Sequence, residues 1–297
     1  MTAAAALIGV DWGSTHLRAY LIDEDGSVLE RSEWAACGAP ALAIGEHAGA
    51  LARAIAPWRG LELPILACGM VGARNGWREV PYRSAPADAA SLCAGLLQAQ
   101  PGVWLVPGVL DATDPDRVEV MRGEETQILG AREPDERAEE ALAICPGTHS
   151  KWARLRRGSI VGLRTCVTGD LYAALRERWP GVEPASPAWA AFDRGVARGA
   201  CEPLASALFS ARADYATRRL QPEELPDYLS GLLIGAEIAA CRDLAGAEAP
   251  LLIGAPALAA RYGRAMRAQG LAEPSQRDAA ACVARGLMRI WREKGER

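Results

Sequence analysis

The apolar run from Ala6 to Val10 reads as a buried strand, and Leu17 to Ile22 reads as another. Between them stand Asp11, Trp12, Gly13, Ser14 and Thr15, an acid followed by a Gly-Ser-Thr turn. Asp25-Gly26 then separates AYLID from SVLE, a strong hairpin signal because both residues tolerate positive φ. The same grammar returns in AICPGTHSKWARLRRGSIVGLRT: apolar strand, glycine with hydroxyls, a basic residue, second strand, glycine turn, third strand. Such self-similarity points to two related half-domains, with a chance likeness of two hairpins as the competing reading.

The 297 residues are long for one core and suit two domains. Strand and helix patterns alternate. Strands are expected at LPILACGM, VWLVPG, ALAICPG and APLLIGAP, and helices over 41–58, 123–141, 189–219, 227–246, 257–270 and 278–294. LDATDPDR reads as an acidic loop. The Pro- and charge-rich AREPDERAEE at 131–140 is the nearest thing to a boundary, so the domains are expected at 1–132 and 133–297. A net charge of −4 argues against a general nucleic-acid binder. The 33 Lys and Arg residues still leave room for a local basic patch facing an anionic ligand. No run of eighteen apolar residues offers a membrane span, and the start lacks the charged region of a signal peptide. The eight cysteines are scattered without a C-x-x-C pair and read as reduced, mostly buried thiols, which places the chain in the cytoplasm.

A glycine and hydroxyl turn after a strand offers backbone N–H groups to phosphate oxygens, and Asp11 at the strand end is placed to hold a hydrated Mg²⁺. The plainer reading is a hairpin turn whose Ser14 and Thr15 satisfy their own backbone. No G-x-x-x-x-G-K-[ST] and no G-x-G-x-x-G after a strand is present, which excludes a P-loop and disfavours a dinucleotide fold.

IGVDWGSTHLRAYLID resembles the first phosphate motif of the sugar kinase/Hsp70/actin superfamily, and CPGTHSKW its second. GLLIGAEIAAC and DAAACVARGLMRIW resemble its two connecting helices, and LLIGAPALAARYGRAM its adenosine motif. Together, GMVGARNGWREVPYRSAPA, VMRGEETQILGA and PGTHSKW are similar to the 2-dehydro-3-deoxygalactonokinase family. The resemblance implies a two-domain α/β sugar kinase/Hsp70/actin-like (ribonuclease H-like) fold with an interdomain cleft. It places the first phosphate motif and the sugar-acid site in the N-terminal domain. The second phosphate and adenosine motifs fall in the C-terminal domain, whose last helix packs back toward the N-terminal one. It also implies ATP with Mg²⁺, and transfer of phosphate to the terminal (6-) hydroxyl of 2-dehydro-3-deoxy-D-galactonate in galactonate catabolism. A small sugar acid and ATP are then the partners, with no nucleic acid or membrane, and self-association is left open. A kinase of another sugar or sugar acid, or an ATPase switch of the same fold, are the alternatives.

On this resemblance the phosphates fall to Gly13, Ser14, Thr15 and Arg18, and to Gly147, Thr148, His149, Ser150 and Lys151. The adenosine falls to Gly254, Ala255 and Pro256, and the metal to Asp11. Glu124 matches the Asp that serves as base in related kinases, with Glu125 a close competitor; both acids would equally complement the start of a helix. Arg74, Asn75, Arg78 and Arg83 either grip the substrate carboxylate or are solvated surface groups, and Trp77 either stacks on the sugar or packs the loop. Arg18 reaches the phosphates or pairs with Asp11. His16 and His47 read as structural, and Cys145 beside His149 supplies too few ligands for a metal.

Overall fold

The strand-forming stretches pair largely as their apolar patterns require. The computed structural model describes residues 4–132, 139–179, 181–246 and 248–295. Fourteen strands are present among them: β1 (Ala5–Trp12), β2 (His16–Asp23), β3 (Val28–Ala35), β4 (Ile65–Gly69), β5 (Arg83–Ser84), β6 (Leu97–Gln100), β7 (Val103–Leu105), β8 (Val109–Asp114), β9 (Arg117–Met121), β10 (Glu140–Cys145), β11 (Ser150–Arg156), β12 (Ser159–Cys166), β13 (Leu251–Ile253) and β14 (Ser275–Arg277). The helices are α1 (His47–Ala54), α2 (Ala89–Ala94), α3 (Glu124–Gly130), α4 (Thr168–Arg178), α5 (Trp189–Cys201), α6 (Leu204–Ala216), α7 (Leu225–Ala240), α8 (Pro256–Ala268) and α9 (Ala279–Gly295).

The first sheet has the order β3-β2-β1-β4-β7-β6 and the second β12-β11-β10-β13-β14. In each, three consecutive strands lie side by side, antiparallel in the first sheet, and the first of them pairs with a parallel neighbour, β1 with β4 and β10 with β13. The repeat seen in the sequence is thus a repeat of sheet order. Gly26 and Gly158 both take positive φ, +84° and +81°, at the corresponding turns. That backbone region is nearly free for glycine and costly for other residues.

The chain divides into two compact units. Unit 1 comprises Met1–Glu140, Ala153–Leu163 and Arg277–Arg297; unit 2 comprises Ala141–Trp152 and Arg164–Gln276. The boundary expected at 132/133 abuts residues 133–138, which lie outside the described residues. Unit 1 is built around Trp12, Leu17, Leu51, Trp58 and Val71, and its sheet is covered by α9, whose Leu287 faces Gly9. Unit 2 packs Trp152, Phe192, Ile234, Tyr262 and Met266.

Several expectations are corrected. The helix over 41–58 shrinks to α1, because Gly45 at φ +94° precedes it and Pro57 follows. The acidic stretch LDATDPDR is a hairpin of β8 and β9 rather than a loop; it buries the acid Asp111 and exposes Val118 and Val120, so no apolar-in, polar-out alternation marks it. The helix expected over 123–141 is observed only as α3, and the helical run over 189–219 breaks at Pro203 into α5 and α6.

Bare backbone contacts set two helix crossings. In unit 2, a Cβ on Gly195 or Gly199 of α5 would lie 2.2 or 2.0 Å from Tyr228 O or Leu232 O of α7. On α7, a Cβ on Gly231 or Gly235 would lie 2.1 or 2.5 Å from Phe192 O or Val196 O. In unit 1, a Cβ on Gly130 would meet Cys282 O at 1.9 Å, and one on Gly286 would meet Thr126 O at 2.0 Å. Gly286→Ala should therefore push α9 off α3 and cost roughly 1–3 kcal/mol, the usual price of overpacking. Gly60→Ala, with nothing within 4 Å of its added carbon, should stay within about 0.5 kcal/mol. Calorimetric melting of the two variants checks this; equal shifts would show that the α3–α9 contact is not tight.

Candidate active site

Asp11 is the penultimate residue of β1, opposite Arg18 on β2 and Cys68 on β4. The turn after it is closed by the Gly13 N–H donating to His16 O at 3.0 Å, and the Ala39 N–H donates to Gly13 O at 3.0 Å. Gly38 buttresses the turn, since a Cβ there would fall 1.7 Å from Ser14 O. Ser14 and Thr15 are exposed, the Thr15 hydroxyl bonding the His16 ring at 2.8 Å. Arg18 donates to Glu33 at 2.9 Å and sits 3.8 Å from the Asp11 carboxylate. Burial raises the Asp11 pKa, Arg18 opposes the rise, and Glu33 adds to it. Asp11 is a carboxylate short of positive charge.

That deficit fits a divalent cation. Mg²⁺ in nucleotide sites commonly takes one or two carboxylates together with waters and phosphate oxygens. Among the described residues no group of three or more His, Cys, Asp and Glu forms an all-protein cage. Asp11 is the group present that would hold the ion.

Between β9 and α3 lies the turn Arg122-Gly123. Gly123 has φ +112°, and a Cβ on it would press on Gly69 Cα at 3.2 Å, so the turn needs glycine twice over. The two acids that follow have different surroundings. Glu124 is half-buried and accepts the Arg122 N–H at 3.2 Å. Glu125 is fully buried, accepting the Gly123 N–H at 2.6 Å and the Thr126 hydroxyl at 3.0 Å. Burial, reinforced by the neighbouring Glu124, pushes the Glu125 carboxyl up to about 8.

The Arg122 side chain runs in the opposite direction, toward the 70–83 loop. Its Nη2 donates to Val80 O at 2.8 Å, and its guanidinium lies 4.3 Å over the Tyr82 ring. In that loop Arg74, Asn75, Arg78 and Arg83 are exposed; only Arg78 makes a long contact, 3.4 Å, to Ala99 O. Trp77 packs: it stacks on His47 with centroids 6.2 Å apart and meets Trp12 edge-on at 6.4 Å.

In unit 2, Gly147, Thr148 and His149 are exposed on the turn between β10 and β11. The Asp170 N–H donates to Thr148 O at 3.0 Å, and the start of α4 packs so closely that a Cβ on Gly169 would lie 2.3 Å from Gly147 O. Ser150 and Lys151 point inward instead. The Ser150 hydroxyl meets Tyr262 Oη at 3.1 Å, and Lys151 Nζ donates to Thr165 at 3.1 Å. Beneath them Glu237 of α7 accepts from the Trp152 indole at 2.7 Å, from Tyr262 Oη at 2.8 Å and from the Thr168 hydroxyl. Burial raises the Glu237 pKa, against the pull of these hydrogen bonds. Gly254, Ala255 and Pro256 form the turn from β13 into α8, with Gly254 facing Pro146 and Pro256 at the first helical position.

The sequence profile of the 2-keto-3-deoxy-galactonokinase family matches residues 11–290. The chain belongs to this family. It is 38% identical over 271 residues to the 2-dehydro-3-deoxygalactonokinase of Escherichia coli (strain K12), covering 90% of this chain and 91% of that one. A crystal structure from Sinorhizobium meliloti, provisionally assigned to the same kinase, superposes with a TM-score of 0.84 at 32% identity, covering 96% and 98% of the two chains. A more distant structure, component A of the Acidaminococcus fermentans (R)-2-hydroxyglutaryl-CoA dehydratase, shares the fold alone at a TM-score of 0.53 and 10% identity, covering 98% and 99%. Within this family member, the sequence reading passed over Arg122 and Glu237. Arg122 directly precedes the Gly-Glu-Glu turn, and Glu237 is an acid inside an apolar helix, so both carried a signal.

The Glu125 environment has a measurable consequence. Below about pH 4.5 the carboxyl is protonated in folded and unfolded chains alike. From there to about 8 the unfolded chain ionises while the folded one resists, so this residue's contribution to stability is lost as pH rises. Glu125→Gln should keep an oxygen for the Gly123 N–H and flatten that pH dependence. Melting curves from pH 5 to pH 8.5 should converge at low pH, with the variant the more stable at high pH; parallel curves would show that Glu125 ionises normally.

Proposed function

We propose that this protein transfers the γ-phosphoryl group of ATP to the terminal hydroxyl of 2-dehydro-3-deoxy-D-galactonate, a step of galactonate catabolism in the cytoplasm. The observation that carries the reading is the family match across residues 11–290. The position of Glu124, half-buried at the head of α3, supports it. No helix among the described residues is long and apolar enough to cross a membrane.

In phosphoryl transfer the protein's work is mainly positioning and charge neutralisation. Glu124 orients the acceptor hydroxyl and takes its proton. Glu125, buried and already bonded to Gly123 and Thr126, holds the turn instead. The Gly13–Thr15 turn of unit 1 and the Gly147–His149 turn of unit 2 each offer N–H groups and hydroxyls to phosphate oxygens, while Ser150 and Lys151 brace the second turn from beneath. Gly254, Ala255 and Pro256 receive the adenosine. Asp11 holds Mg²⁺, which when bound draws charge from the phosphate oxygens. The exposed Arg74, Asn75 and Arg78 are outer contacts for the approaching acid.

Steady-state assays of ATP with keto-deoxy sugar acids and neutral sugars test the reading. The galactonate-derived acid should be the preferred acceptor, and ATP hydrolysis indifferent to any sugar would favour an ATPase switch. Asp11→Asn should nearly abolish turnover with the fold intact. Glu124→Gln should lower kcat by roughly 10²–10⁴-fold at near-unchanged KM values, the usual worth of general-base catalysis. Loss in Glu125→Gln but not in Glu124→Gln would move the base one residue along.

A further inference from the structure

Four arginines among the described residues carry side-chain N–H groups that are buried and without a hydrogen-bond partner: Arg122, Arg164, Arg176 and Arg261. Three of them have a carboxylate partner: Arg164 with Asp243, Arg176 with Glu183, Arg261 with Asp227. Arg122 has none. Its Nε and Nη1 are sealed from water, its Nη2 reaches only the neutral Val80 O, and the Tyr82 ring covers the guanidinium plane. A buried cation with unsatisfied donors is costly unless an anion completes it. The surroundings make room for the group, since a Cβ on Gly72 would lie 3.0 Å from Nη1 and one on Gly108 would lie 2.7 Å from the Tyr82 ring.

Resting on the kinase reading above, we infer that Arg122 is the specificity-determining residue that binds the carboxylate of the acceptor sugar acid through a guanidinium N–H left without a partner. Placement favours the acceptor over the nucleotide. The Arg122 backbone N–H is bonded to the carboxylate of Glu124, so one residue touches the base at one end and presents a guanidinium at the other. As many bonds separate an arginine Cα from its guanidinium carbon as separate C1 from C6 of a six-carbon acid. An acid lying alongside the side chain therefore brings its terminal hydroxyl to Glu124 when its carboxylate meets the guanidinium, a charge-assisted hydrogen bond. The exposed part of the loop, Arg74, Asn75, Arg78 and Tyr82, must move aside to admit it. Arg74 and Arg78 lie in water, where an ion pair is worth far less than at a desolvated guanidinium.

The test compares the wild type with Arg122→Gln and Arg122→Lys, using 2-dehydro-3-deoxy-galactonate and its uncharged C1 amide as acceptors. In Arg122→Gln, KM for the acid should rise on the order of 10²–10³-fold, as loss of a buried charge partner predicts. KM for ATP should stay within about twofold, and KM for the amide should rise far less than that for the acid. The acid-to-amide preference should therefore collapse, with Arg122→Lys in between. Equal losses on acid and amide would reduce Arg122 to a brace for the loop. A rise in KM for ATP instead would assign it to a phosphate, and either result overturns the inference while leaving the kinase reading intact. Should Arg122→Gln fail to fold, the acid-to-amide ratio in Arg122→Lys decides on the same terms. A wild type that phosphorylates no six-carbon acid overturns the kinase reading and this inference with it.

Discussion

Helix α3 holds Glu124 and Glu125 where they are because its backbone lies directly on that of α9. Gly130 and Gly286 remove the side chains that would keep the helices apart, and the Thr126 and Cys282 carbonyls occupy the space left free. The arginines of α9 complete the joint. Arg285 donates to Gly130 O at 2.9 Å, and Arg289 to the carbonyls of Leu129 and Arg132, so cations of one helix cap the C-terminal end of the other. With α3 pinned at that end, the Gly123 turn at the other end is fixed against Gly69, and the two acids receive their different surroundings. Unit 2 repeats the device where α5 meets α7, and there the helix so placed carries Glu237 beneath the Gly147–His149 turn.

The parts of this arrangement that were legible in the sequence are those written as local pattern. The two strand–turn–strand repeats, with Gly26 and Gly158 at matching turns, anticipated the shared sheet order, because turn chemistry and alternation are short-range properties. The helices over 227–246 and 278–294 were legible from their apolar periodicity. The β8–β9 hairpin was hidden because it buries Asp111 and exposes Val118 and Val120, against the usual alternation, and the helix at 41–58 is shorter than its apolar spacing because Gly45 and Pro57 bound it. Which acid faces outward at the Gly-Glu-Glu turn was beyond reach. Glu124 and Glu125 are identical in chemistry and adjacent, and only tertiary packing separates one that is half-buried from one that is sealed. For the same reason the loop arginines drew attention while Arg122 did not, since burial is not a property of sequence.

A common electrostatic condition runs through unit 1. Asp11 lacks sufficient positive charge, Glu125 is held neutral well into the physiological range, and Arg122 lacks an anion. Groups left incomplete in this way suit a protein that works on charged ligands, because each ligand then supplies a counter-charge that the fold withholds.

The C-terminal helix also imposes an order of events during synthesis. The apolar underside of β1 at Gly9, the turn at Gly26 and the whole flank of α3 are covered by residues of α9. At roughly 5–20 residues per second, the first sheet leaves the ribosome many seconds before that helix exists. The second unit, most of it contiguous between Arg164 and Gln276, is complete before the first can close. The nascent N-terminal sheet therefore waits with an open apolar face until α9 is made to cover it.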